Sequence, residues 1–87
     1  MTSAMQDLNT GSKNESQQVL EINTNCIELY KVLKLEGLAD SGGMAKMLIG
    51  KGLVYVNGQI ETRKRKKIIA GDTVKYEGKQ VSIRSNK

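Results

Sequence analysis

The chain has 87 residues, a formal net charge of +5, and no phenylalanine, tryptophan or histidine. One domain fits that length, and its core must be aliphatic, built from Leu, Ile, Val and Met. A single cysteine, Cys26, excludes an intrachain disulfide, and with no histidine a zinc site of the usual ligands is excluded too, so no metal or cofactor is expected.

The charge is unevenly placed. Residues 1–43 carry three lysines against six acids, a net of −3, whereas residues 44–87 carry eleven basic residues against three acids, a net of +8. Clustering of this kind points to a polyanionic partner. Residues 1–17 read as a polar, disordered arm, and 18–87 as one domain. The arm lacks the apolar segment of a secretory signal, and no apolar run reaches transmembrane length. A cytoplasmic location with no membrane partner is therefore the expectation.

In chain order, "VLEIN" (19–23) alternates as a short strand, with Leu20 and Ile22 on one face and Val19 and Glu21 on the other. "TNCIELYKVLKLEG" then predicts a helix. Thr24 or Asn25 is its candidate N-cap, and Glu28 stands at capping-box spacing from Asn25. Leu29, Val32 and Leu33 form its buried face, and Gly37 ends it. "DSGGMAKMLIGKG" predicts a second helix capped by Asp40 or Ser41. Its apolar stripe is Met44, Ala45, Met47, Leu48 and Ile49, with Lys46 opposite and facing solvent. Gly50 and Gly52 end it.

After Gly52 the period changes from 3.6 to 2. "LVYV", "NG" and "QIET" predict a hairpin, since Asn-Gly suits a type I′ turn. "AGD" (70–72) predicts a further turn. "TVKY", "EG" and "KQVSIR" predict a second hairpin that gives Val74, Val81 and Ile83 to the core. The fold class is α+β: two short helices followed by a small, mostly antiparallel sheet.

Between the hairpins lie five consecutive basic residues, Arg63, Lys64, Arg65, Lys66 and Lys67. As a strand with Ile60 and Ile68 facing the core, Arg63, Arg65 and Lys67 point outward, about 6.8 Å apart. Lys64 and Lys66 then face the core and need a bulge or a sheet edge to reach water. Edge protection accounts for one or two lysines; five in a row favour binding. Tyr30, Tyr55 and Tyr76 are scattered and read as structural, which leaves recognition to phosphate and 2′-OH contacts. No histidine is present and the carboxylates are not paired, so no catalytic constellation is visible and the chain is not expected to be an enzyme. "SGG" (41–43) lacks the frame of a phosphate-binding loop, so Ser41 reads as a cap first, with a phosphate contact at the helix N-terminus as a second role.

The order of these features resembles a known family. "LKLEGLADSGGMAKMLIGKGLVYVNGQIETRKRKKIIAGDTV", about half the chain, is similar to the αL-type RNA-binding domain of the fourth ribosomal protein of the small subunit, the S-four domain. The small free-standing bacterial members are the best match. The specific part is "LIGKGLVYVNG" with "AGD" at its distance. The resemblance implies a monomeric module that docks on structured RNA, ribosomal or transfer RNA, or on a ribosomal particle. Ser41 matches the serine opening the second helix, Lys46 a basic position within it, and Asn57, Gly58, Gly71 and Asp72 structural turns. Gly42 stands where the family usually has arginine, and Cys26-Ile27-Glu28 where the first helix often opens Arg-Leu-Asp. The run 63–67 is expected to replace those contacts and to shift the surface toward the sheet.

The expected function is non-catalytic RNA binding through a groove formed by the second helix and the basic strand. Its candidate contacts are Lys34, Ser41, Lys46, Lys51, Arg63, Lys64, Arg65, Lys66 and Lys67. The alternative is an assembly module whose basic face meets an acidic or ribosomal protein partner. Anionic lipid and duplex DNA have less support, because neither an amphipathic membrane helix nor a base-reading helix is evident.

Overall fold

The computed structural model describes residues 16–86. Seven strands and two helices follow in chain order. They are β1 (Ser16–Ile22), β2 (Ile27–Glu28), α1 (Leu29–Leu35), α2 (Gly42–Gly50), β3 (Tyr55–Val56), β4 (Gln59–Ile60), β5 (Lys67–Ile68), β6 (Thr73–Tyr76) and β7 (Lys79–Ser85). Five strands form one sheet in the order β1-β7-β6-β3-β4, and β2 pairs with β5 in a separate two-stranded ladder. Every pairing is antiparallel except that of β1 with β7. This is the α+β arrangement expected from the change of period; β1 extends the strand expected at 19–23, and β2 is added before the helices.

β1 begins at Ser16, so residues 16 and 17, assigned above to the arm, belong to the sheet. The rest of that arm lies outside the described residues. Ile22 is buried and Leu20 packs against the core, while Val19 and Glu21 are exposed, as the alternation implies. Gln18, on the core side, is held by its amide, which donates to the backbone carbonyl and the carboxylate of Glu36.

α1 starts later than expected. Its N-cap is Glu28, whose side chain makes no capping bond, so the predicted capping box does not form. Ile27 and Glu28 are drawn instead into pairing with Ile68 and Lys67. The first free amides of the helix find other acceptors: Leu29 N–H donates to the Lys66 carbonyl at 2.9 Å and Tyr30 N–H to the Lys64 carbonyl at 3.1 Å. Backbone from the basic segment thus does the work of an N-cap. At the other end Gly37, at φ +76°, closes a Schellman motif, with Leu38 N–H on the Leu33 carbonyl and Gly37 N–H on that of Lys34.

α2 follows its sequence signals. The Ser41 hydroxyl accepts from Met44 N–H at 3.1 Å. Gly52, at φ +77°, repeats the Schellman closure through Leu53 N–H on the Leu48 carbonyl. The apolar stripe is narrower than predicted: Ala45, Leu48 and Ile49 are buried, but Met44 and Met47 are exposed. A helix that faces one sheet and one neighbouring helix buries only part of so broad a stripe.

The core lies between the helices and one face of the large sheet. Leu29, Val32 and Leu33 of α1 and Ala45, Leu48 and Ile49 of α2 meet Val54, Val56, Val74, Tyr76, Val81 and Ile83. Each fully buried aliphatic side chain contributes about 1.5–3 kcal/mol by leaving water. Among the described residues no second layer covers the opposite face of the sheet.

Both hairpins turn on residues with positive φ, Asn57-Gly58 (52° and 85°) and Glu77-Gly78 (49° and 77°), as type I′ turns require. Asn57 also latches the turn at 70–72. Its amide donates to Asp72 Oδ1 at 3.0 Å and its side-chain carbonyl accepts from Thr73 N–H at 2.9 Å, while Asp72 Oδ2 accepts from Ile69 N–H. Asn57 and Asp72, fifteen residues apart, thus make the Asn-Gly and Gly-Asp dipeptides one structural device.

Candidate functional site

The basic run is not a strand. After Ile60 the chain forms a loop that turns at Lys64-Arg65, closed by Lys66 N–H on the Arg63 carbonyl at 3.1 Å, and only Lys67 and Ile68 enter a ladder. Ile68 is fully buried, but Ile60 is 57% exposed, so the two do not share the core face. The physical reason is the one that made a strand costly. Alternation would have driven Lys64 and Lys66 into an aliphatic core. In the loop their carbonyls turn inward to α1, Lys64 is exposed and Lys66 half-buried.

This docking against α1 sets the loop opposite α2. Lys46, Met47 and Gly50 of α2 and Thr62, Arg63, Lys64 and Arg65 of the loop line a shallow groove of about 590 Å³. The basic segment and the second helix thus line one groove, and Arg63 and Lys66 also border a hollow beside β4 at the sheet edge.

Each cation is held differently. Lys46 does not project freely into solvent: its ammonium stands 4.6 Å from the centroid of the Tyr30 ring, a cation–π geometry that leaves its other side toward the groove. Arg63 is bound by Glu61. Oε2 of that carboxylate accepts from Arg63 N–H at 3.0 Å and Nε at 2.9 Å, and Oε1 accepts from Nη2 at 3.0 Å. These bonds hold the Glu61 carboxyl at about 2, well below the usual carboxylate range, and raise the Arg63 guanidinium in turn. Arg65 lies 3.9 Å from Glu28, and Lys31 lies 3.7 Å from the same carboxylate. Both pairs are long and solvent-exposed, so they cost little to exchange for a phosphate. Glu28, at the N-cap of α1, also offsets the repulsion between the helix dipole and the cations beside it.

Of the other candidates, Ser41 is engaged as the α2 cap, and Lys66 lines a separate hollow beside β4 together with Ile60 and Arg63. Lys67 sits in β5 opposite Glu28. Lys34, in the last turn of α1, and Lys51, the C-cap of α2, are exposed and do not line the groove. Tyr30, read above as structural, lies beside the groove under Lys46, and Lys31 was not singled out in the sequence. Lys31 stands 5.9 Å from the Tyr30 ring and extends the basic surface, and a single helical lysine carries no signal of that in sequence. Gly42 packs beside the same ring: an added Cβ would lie 3.7 Å from it, an ordinary contact. Among the described residues no cluster of potential metal ligands exists, and no helix is long and apolar enough to cross a membrane.

Two helices laid on one face of a mostly antiparallel sheet match the αL class of small α+β modules. The model of a family described as the S4 domain matches residues 20–84. The chain belongs to the S4 domain family. YbcJ of Escherichia coli (strain K12) is 51% identical over 57 residues, which cover 66% of this chain and 81% of that protein. The solution structure of YbcJ, described as revealing an αL motif involved in RNA binding, superposes with a TM-score of 0.59 at 39% identity over 91% of this chain and 99% of that one. A Bacillus subtilis (strain 168) relative, named "Probable ribosome maturation protein RlbA", is 39% identical over 59 residues, 68% of this chain and 83% of its own length.

Proposed function

We propose that this protein binds structured RNA, ribosomal or transfer RNA, through the groove between α2 and the loop 62–65, and that it does so without catalysing a reaction. The observation that carries the reading is the convergence of Lys46, Arg63, Lys64 and Arg65 on one groove. Lys46 stands seventeen or more residues before the other three in sequence, and Arg63 and Arg65 are paired with Glu61 and Glu28, carboxylates that hold them in place and can yield to phosphate. The αL motif described for YbcJ and the name of RlbA support RNA, and a ribosomal setting, over other polyanions.

The test is a salt titration of affinity for a folded ribosomal or transfer RNA, a DNA duplex of similar length, and anionic vesicles. With four to six phosphate contacts, log K should fall against log salt with a slope of about −3 to −5. Tighter binding to the folded RNA, weakened by Lys64→Gln with Arg65→Gln, is the expected result. Equal affinity for all three would reduce the groove to nonspecific charge. Absence of binding at moderate salt would move the partner to an acidic protein surface.

A further inference from the structure

Tyr55 is not used by the groove, and the fold does not bury it. It is 40% exposed, whereas Tyr76 is buried and Tyr30 is covered by Lys46. Tyr55 pairs directly with Ile60 on β4 and Lys75 on β6. Directly opposed residues share a face of the sheet. Their neighbours in register, Val56 and Val74, are buried on the other side, so these three occupy the open face. The two hairpin turns close over one end of that row. Tyr55, Gly58, Lys75, Glu77 and Gly78 line a hollow of about 350 Å³, at the small end of the roughly 300–1,000 Å³ range of ligand pockets. Nothing lies within 4 Å of a Cβ built on Gly58, so part of the wall is bare backbone, open to a planar group.

This hollow shares no lining residue with the groove, but a third hollow beside β4 lies between the two. Arg63 lines both the groove and the hollow beside β4, where Ile60 is its neighbour, and Ile60 is the cross-strand partner of Tyr55. A nucleic-acid strand that left the groove at Arg63 and crossed β4 at Ile60 would reach the Tyr55 ring. We infer that the hollow at Tyr55 seats an unpaired nucleotide of the RNA held in the groove, its base stacked on the Tyr55 ring and its phosphate beside Lys75. The inference rests on the RNA-binding reading above and adds to it a single-stranded subsite on the opposite face of the sheet. Stacking on an aromatic ring is tolerant of base identity, so the subsite selects for an unpaired end or bulge and not for a sequence.

The experiment compares a blunt RNA hairpin with the same hairpin carrying about four unpaired nucleotides at either end in turn. An extension at one end should tighten binding about tenfold, within the range of one stacked base. Tyr55→Ala should abolish that gain and leave affinity for the blunt hairpin unchanged, which also shows that the variant folds. Tyr55→Phe should keep the gain. A 5-bromouridine placed in the extension should crosslink to Tyr55 on irradiation. Equal affinity of the wild type for blunt and extended hairpins, or an equal loss on both in Tyr55→Ala, overturns the subsite alone if Lys64→Gln with Arg65→Gln still weakens the blunt hairpin. If that double variant binds the blunt hairpin as the wild type does, the groove falls and the subsite with it.

Discussion

Glu61 and Arg63, two residues apart, form the tightest ion pair in the basic loop, joined by one backbone and two side-chain hydrogen bonds. The carboxyl is held at about 2 against an ordinary 4.5, chiefly by the hydrogen bonds from Arg63, with smaller electrostatic help from Arg63 and Lys66. A carboxyl whose folded pKa lies below its unfolded value stabilises the fold above the unfolded value and loses that contribution as pH falls through the folded one. The stabilisation from Glu61 is therefore complete above about pH 5 and disappears toward pH 2. NMR titration should place the Glu61 carboxyl near 2, and Arg63→Ala should return it part of the way to 4.5, because the backbone N–H of residue 63 still donates to the carboxylate. Thermal unfolding should separate Glu61→Gln from the wild type at pH 6 and bring the two together as pH approaches 2. An unshifted Glu61 titration would mean that the pair does not persist in solution. In the proposed binding mode the pair would also help, because a restrained guanidinium loses less freedom when it meets a phosphate.

Among the elements, α1 and α2 begin in opposite ways. α2 carries its own cap: the Ser41 hydroxyl takes Met44 N–H, and its signal was local and readable. Ser41→Ala should lower stability by about 1 kcal/mol in denaturant unfolding, and Ser41→Gly by only a few tenths. A loss of RNA affinity in Ser41→Gly with stability nearly intact would add a phosphate contact to the capping role. α1 borrows its cap from carbonyls of Lys64 and Lys66, more than thirty residues downstream. The loop therefore has two separable parts, backbone that holds a helix and side chains that face outward. Lys64→Gln with Arg65→Gln should leave the unfolding midpoint within about 0.5 kcal/mol of the wild type, the usual range for exposed substitutions. A cooperative loss of helix signal in that variant would show instead that the side chains hold α1.

At the scale of the whole molecule, charge and core are segregated. The aliphatic core lies between the helices and one sheet face, and among the described residues no polar or charged side chain is buried in it. The cations of the groove stand on elements that the core positions but does not enclose. Leu33, fully buried where α1 meets the core, shows the dependence. Leu33→Ala should cost about 2–5 kcal/mol in chemical unfolding, a large share of the stability of a domain this size. Below its lowered midpoint temperature, however, the variant should bind RNA with the wild-type salt slope. A changed slope in the folded variant would mean that the core sets the groove more delicately than this arrangement implies.

The local signals were sufficient wherever the cause of a structure is local. The two Schellman glycines, the Ser41 cap, both type I′ turns and the alternation of β1, β6 and β7 depend on residues within a few positions of one another, and each could be read in order. The α+β class and the family resemblance followed from that order. Tertiary structure decided what depends on partners distant in sequence. Ile27 and Glu28 left the predicted helix because Ile68 and Lys67 were there to pair with them. Residues 61–66 left the predicted strand because their carbonyls were required at the α1 N-terminus and their ammonium groups could not enter an aliphatic core. Lys46 found the Tyr30 ring, and Tyr55 was left on an open face, through packing that no periodicity encodes. Charge is written into the sequence one residue at a time, but a groove exists only where the core brings separate elements together.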